Sequence, residues 1–152
     1  MKSRKTYTQV IPAAGRLMES LRDLGYNFST AVADLIDNCI CAKAANGQLS
    51  FIDHLTCSPK FVIIDDGIGM PGHILKEAMR YCAERKYSLN DLGKYGLGLK
   101  TASMSQCRKL TVATKSRYDK RINAFCWDLK HVDDTNRWEI IEVNQSELPP
   151  VV

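Results

Sequence analysis

An α/β domain, built as an α+β two-layer sandwich with a mixed, largely antiparallel sheet and helices on one face, is the fold class this sequence predicts. Helical patterns crowd the first two-thirds of the 152 residues. A wholly apolar run, Phe61-Val62-Ile63-Ile64, leads straight into a glycine loop. The last third reads as strands joined by a hairpin turn.

The elements follow in order. Pro12 suits the first turn of a helix, and Leu17, Leu21 and Leu24 carry its apolar face to a stop at Gly25. Ser29 or Thr30 is placed to cap a second helix running to about Ala45, ended by Asn46-Gly47. Residues 61–64 form a buried strand, with residues 49–55 as its partner. Pro71 opens a third helix reaching Cys82. Residues 83–95, polar and mixed in charge, read as a mobile loop. A helix over 99–105 precedes a strand over 109–115, a turn at Tyr118-Asp119-Lys120, and strands over 122–129 and 138–143. Trp127 and Trp138 are expected to pack within this meander. Pro149-Pro150 reads as the exit from a single domain spanning 1–152, the N-terminal part of a larger protein.

Composition sets bounds on function. Apolar residues make up 45% and charged residues 25%, ordinary for a chain that buries a core. A net charge of +4 permits polyanion binding without indicating it; small basic clusters lie at Arg85-Lys86 and over 115–121. No apolar run approaches the roughly 20 residues of a membrane span, and no signal-like segment opens the chain, so a cytoplasmic protein without a membrane partner is expected. The six cysteines (39, 41, 57, 82, 107 and 126) are expected to be free thiols. Cys39-x-Cys41 and His54-x-x-Cys57 lack a second clustered pair, so zinc is not expected.

On a helical wheel of the second helix, Val32, Leu35, Ile36, Cys39 and Ile40 share the arc that should face the core. Asp34, Asp37, Asn38 and Cys41 share the opposite arc. A solvated face explains a polar stripe, but Glu, Lys or Gln would serve that purpose better than Asp and Asn, which are weak helix formers. Asp34 and Asn38 lie one turn apart, so their side chains meet. An Asn carbonyl oxygen is a hard neutral ligand suited to Mg2+. A carboxylate beside it can accept a proton from water.

The run Asp65-Asp66-Gly67-Ile68-Gly69-Met70 places a carboxylate at the end of a buried strand, where it needs a donor such as the amine of adenine. Its glycines let backbone approach a flat ring; a plain strand-turn-helix is the alternative. Farther on, Gly93-Lys94-Tyr95-Gly96-Leu97-Gly98-Leu99-Lys100-Thr101 passes from loop into helix. Free N–H groups at that helix start form an anion site, and Lys94 and Lys100 add charge. Neither loop has the Walker spacing, and the second lies too late for a dinucleotide fingerprint. In this order the three segments make an ATP site.

The combination resembles the GHKL superfamily of gyrase-type topoisomerases, ninety-kilodalton heat-shock chaperones, histidine kinases and MutL-type repair proteins. The resemblance spans about residues 15–116. Lys100-Thr101-Ala102-Ser103-Met104 after Gly96-Leu97-Gly98 is most similar to the microrchidia-like branch and its bacterial relatives. It implies a Bergerat fold binding ATP and Mg2+ under a mobile lid. By position, Asn38 resembles the family's Mg2+ ligand and Asp66 the Asp that hydrogen-bonds the adenine amine. Gly69 and Met70 then line the base, Ala42 forms the pocket wall, and Thr114 shares a water with that Asp and the base. Gly96, Leu97, Gly98, Leu99, Lys100 and Thr101 resemble the lid that cradles the phosphates. Asp34 stands where the family's ATPases carry Glu as general base, and Cys41 where they carry Asp. The family's γ-phosphate lysine comes from a transducer domain that this chain is too short to hold, so either Lys100 substitutes or a C-terminal region is required. The implied activity is slow Mg-dependent ATP hydrolysis driving lid closure and an ATP-dependent homodimer; the alternative is a nucleotide-sensing module that barely hydrolyses. ATP and ADP are the expected ligands, and nucleic acid is a partner only through the full-length protein.

Overall fold

The computed structural model describes residues 6–23, 25–52, 59–81 and 98–149. Helix α1 (Ala14–Arg22) begins two residues after Pro12 and has no side-chain cap of its own. Instead Ala14 N donates to Asn136 Oδ1 at 2.8 Å, so a residue far along the chain supplies the missing partner. Helix α2 (Phe28–Cys41) is capped by Asn27, whose side chain accepts from Thr30 N at 2.8 Å. Thr30 is thus the capped residue and not the cap. The helix ends at Cys41, short of the expected Ala45, because Lys43 turns left-handed at φ 58°. Lys43 N and Ala44 N then return to the carbonyls of Ile40 and Cys39, the paired bonds of a Schellman stop.

Strands β1 (Gly47–Ile52) and β2 (Lys60–Asp65) pair antiparallel, with Leu49 opposite Ile63 and Phe51 opposite Phe61. Helix α3 (Gly72–Met79) follows Pro71, and α4 (Gly98–Gln106) carries five consecutive buried residues, Lys100 to Met104. Strand β3 (Lys109–Thr114) pairs antiparallel with β4 (Asn123–Asp128), which pairs with the short β5 (Ile141–Glu142). The α/β mixture is as expected. Among the described residues the strands divide into two sheets, β1-β2 and β3-β4-β5, and every pairing is antiparallel.

One helix stands where the sequence pattern predicts none. Helix α5 (Leu129–Thr135) occupies the gap between the last two expected strands. Asp128 caps it by accepting from Lys130 N, Leu129 and Val132 bury its inner face, and left-handed Asn136 ends it. The core gathers Ala14 and Met18 of α1, Leu75 and Met79 of α3, Met104 of α4, Trp127 of β4, and Leu129 and Val132 of α5. Trp127 is buried there and donates Nε1–H to Met79 O at 2.8 Å.

The expected core face of α2 needs correction. Ala31 is its buried residue, whereas Ile40 is 60% exposed and Ile36 also reaches solvent. The helix packs chiefly on α4, and the β1-β2 hairpin stands off from it. A cavity of about 250 Å³ remains between Ile36, Cys39 and Ile40 on the helix and Leu49 and Ile63 on the strands. Phe28 of the helix meets Phe51 and Phe61 of the strands, with ring centroids 4.8–5.8 Å apart.

Candidate functional site

Three segments distant in sequence meet at the C-terminal end of α2. Ile68 N donates to Ala42 O at 2.9 Å, seating the first glycine loop on the helix terminus. A Cβ on Gly67 would stand 2.7 Å from both Cβ and O of Ala42, so only glycine permits the approach. Gly69 has φ 64°, and a Cβ there would lie 2.2 Å from Lys115 O. Met70 N donates to Thr114 Oγ1 at 2.9 Å, fixing the same loop to the end of β3. Ala42, Gly69, Met70 and Thr114, four of the predicted site residues, are therefore brought together.

Asn38 and Asp34 stand one and two turns before Ala42, but their side chains do not meet each other as expected. Asn38 is exposed and donates Nδ2–H to the backbone carbonyl of Asp34 at 2.9 Å, which leaves its amide oxygen for a ligand. The Asp34 carboxylate turns instead to Tyr26, accepting its O–H at 2.9 Å. That bond, then burial and the charge of Asp34, pushes the Tyr26 hydroxyl above its ordinary pKa. Gln106 at the end of α4 donates to Tyr26 O, so the orientation of Asp34 is tied to α4.

Asp66 does not point into the interior. It is exposed, and its Oδ1 accepts from Ala45 N and Asn46 N at 2.7 and 2.8 Å while Oδ2 accepts from Asn46 Nδ2 at 2.8 Å. Those bonds, the Asn46 backbone first, hold its pKa below the usual carboxylate value. Asp66 is thus a clip on the α2–β1 connection. Its neighbour Asp65, on the opposite side of the strand, accepts from Gly67 N at 2.9 Å and faces the Cys39 thiol of α2. Burial, then the Asp65 charge, raises the pKa of that thiol. Sequence reasoning passed over Asp65; the signal was the spacing Asp-x-Gly-x-Gly, which starts at 65 and not at 66.

At the start of α4 no described residue lies within 4 Å of a Cβ built on Gly98, and the first N–H groups have no partner within the helix. Leu99 is half-buried in the same turn. The Thr101 hydroxyl is buried without a hydrogen-bond partner among the described residues. Lys100 is 1% exposed, and its ammonium donates to Ala78 O at 2.7 Å and lies 5.8 Å from the centre of the Tyr81 ring. Gly96 and Leu97, with the expected loop over 83–95, lie outside the described residues. Cys41 is an exposed free thiol, and Cys39, Cys107 and Cys126 are also free.

A family model described as histidine kinase-, DNA gyrase B- and HSP90-like ATPase matches residues 26–151. The chain belongs to that family. The match covers every segment of the candidate site, from Asp34 to Thr114. The protein named ATPase morc-1 of Caenorhabditis elegans is 31% identical over 86 residues, which is 57% of this chain and 10% of the relative. The chain thus spans about one tenth of that curated relative, in keeping with the microrchidia-like resemblance. Among the described residues no helix is long and apolar enough to cross a membrane.

Donor chemistry fits the nucleotide and its cation. The described residues contain no cluster of three His, Cys, Asp or Glu side chains. Mg2+ does not need one when substrate phosphates and water fill most of its shell. A neutral oxygen at Asn38, the first N–H groups of α4, and the Thr101 hydroxyl, which has no partner among the described residues, are the parts that such a ligand would use.

Proposed function

We propose that this domain binds ATP with Mg2+ and hydrolyses it slowly, using closure of the glycine-rich segment before α4 to drive a conformational or dimerisation switch. The observation that carries the reading is the junction of Ala42, Gly69-Met70 and Thr114, which joins α2, the loop after β2 and the end of β3. Asp65 reads the adenine amine, because both Asp66 oxygens already have donors. Met70 and the backbone at Gly69 line the base, and Thr114 supports them. The N–H groups from Gly98 to Thr101, with Gly96 and Leu97 before them, take the phosphate oxygens. Asn38 holds Mg2+, which neutralises phosphate charge when bound.

In hydrolysis Asp34 accepts the proton of the attacking water, and Tyr26 orients its carboxylate through the 2.9 Å bond. The α4 N–H groups stabilise charge developing on the phosphoryl oxygens. Lys100 acts from its buried position, holding the start of α4 against the end of α3. The Tyr26 bond also favours a second reading, a nucleotide sensor with little turnover. A base whose oxygen already accepts a hydroxyl, on a side chain one methylene shorter than Glu, is a slow one. Calorimetric titration of ATP and ADP with and without Mg2+ tests the assignment, and absence of heat for both nucleotides refutes it. Phosphate release separates the two readings: Asp34→Ala lowers the rate about 100-fold if Asp34 is the base, and equal rates remove it from that role.

A further inference from the structure

The connection between β3 and β4 concentrates charge that the fold does not use. Lys115, Arg117, Lys120 and Arg121 are all exposed, and among the described residues none has a carboxylate within ion-pair distance. Among the described residues Arg16, Lys43, Lys60 and Lys76 also lack such a partner, but each stands singly in the sequence and not in a cluster. Arg22, Arg80, Arg108, Lys109, Lys130 and Arg137 each reach an acid at 2.6–3.6 Å. Asp119, the one acid between residues 115 and 121, is half-buried and accepts from Asn123 Nδ2 at 3.5 Å.

The backbone here is held by neutral groups. Asp119 N donates to Ser116 O at 2.9 Å, Tyr118 N approaches Ser116 Oγ at 3.3 Å, and Ser116 itself is buried. The turn therefore presents its cations from a fixed frame. At its tip Tyr118 is 88% exposed, and its ring meets no other aromatic or cation among the described residues. A bare aromatic face among four cations matches a polymer whose repeating unit is a phosphate and a planar base. An acidic protein segment would satisfy the charges but not the ring. A duplex keeps its bases stacked on each other, away from a side chain on a turn.

We infer that the β3–β4 connection is a binding surface for single-stranded nucleic acid, with the four cations on phosphates and Tyr118 stacked on an unpaired base. This surface stands apart from the nucleotide reading, although it begins one residue after Thr114. The test uses the full chain and anisotropy of labelled thymidine and uridine oligomers of about 20 nucleotides, long enough to cover one site. With four phosphates engaged, the logarithm of affinity falls against the logarithm of salt with a slope of about −2.8. Arg117→Gln with Arg121→Gln makes that slope shallower by about 1.4. Tyr118→Ser keeps the slope and weakens single-strand binding by about 5- to 150-fold, while weak duplex binding is unchanged. Both variants retain wild-type ATP affinity, so failure here is distinguishable from failure of the ATP site. No saturable binding at low salt, an unchanged slope in the double variant, indifference to Tyr118→Ser, or equal competition by polyglutamate would each overturn the inference.

Discussion

Replacing Lys100 with Met removes a buried charge while keeping most of the aliphatic stem. In the folded chain that ammonium caps Ala78 O at 2.7 Å, one of the last four carbonyls of α3, and stands over the Tyr81 ring. A charge-assisted hydrogen bond contributes about 1.5–3 kcal/mol, and an ammonium near an aromatic face about 0.5–2 kcal/mol. Removing the charge also relieves its desolvation, a term of several kcal/mol that offsets much of the loss. The Ala78 carbonyl nevertheless stays behind without that donor, so the balance is a destabilisation of about 2 kcal/mol. For a domain of this size that lowers Tm by about 4–8 °C. The assay is thermal unfolding without nucleotide, followed by ATP and ADP titration of the same variant. If Lys100 positions α4, stability falls and the two nucleotides weaken by the same factor. An unchanged Tm with a selective loss of ATP over ADP would refute this reasoning, because it would put the ammonium on the γ-phosphate.

The adjacent carboxylates should separate by role. Asp65→Asn lowers ATP affinity by about 10- to 150-fold, the loss of a charged hydrogen bond, whereas Asp66→Asn leaves calorimetric affinity nearly unchanged and lowers stability. The folded pKa of Asp66 is depressed, so its contribution is complete above the ordinary carboxylate pKa of about 4 and disappears as pH falls through the lower folded value. Acid unfolding of Asp66→Asn, followed by circular dichroism, therefore has a flatter limb there than wild type. Gly69→Ala adds a Cβ 2.2 Å from Lys115 O at a left-handed position, and is expected to abolish ATP binding and lower Tm. Gly25→Ala, also left-handed but with no described residue within 4 Å of the new carbon, costs only about 1–2 kcal/mol and leaves ATP affinity intact.

Local signals fixed most elements because they act over a few residues. The apolar run at 61–64 became β2, Pro71 opened α3, and Gly98 begins α4. Helix α5 was missed because its signals were read at the wrong period. Leu129 and Val132, three apart, are a helical pair, but strand residues on either side invited one continuous meander. The α2 stop was placed at Asn46-Gly47 on composition, whereas Lys43 takes the left-handed position without being Asn or Gly. The face of α2 depended on its neighbours. A helix wheel finds the apolar arc, but only the offset of the β1-β2 hairpin decides that Ile40 stays in solvent.

The site shows the same division between residue type and direction. Asp65 and Asp66 are chemically identical, and along a strand consecutive side chains point to opposite sides. A misplacement of one position therefore exchanges a residue facing α2 for one clipping the α2–β1 connection. Lys100 is the same case on a longer lever. Its place beside a glycine loop suggests phosphate, yet a flexible four-carbon stem lets the ammonium reach Ala78 behind the helix. Gly67 and Gly69 escaped this ambiguity because they have no side chain to aim. Their function is close approach, to Ala42 on one side and Lys115 on the other. The junction was legible in the sequence where it rests on backbone contact, and the charged groups around it acquired directions only from the elements packed beside them.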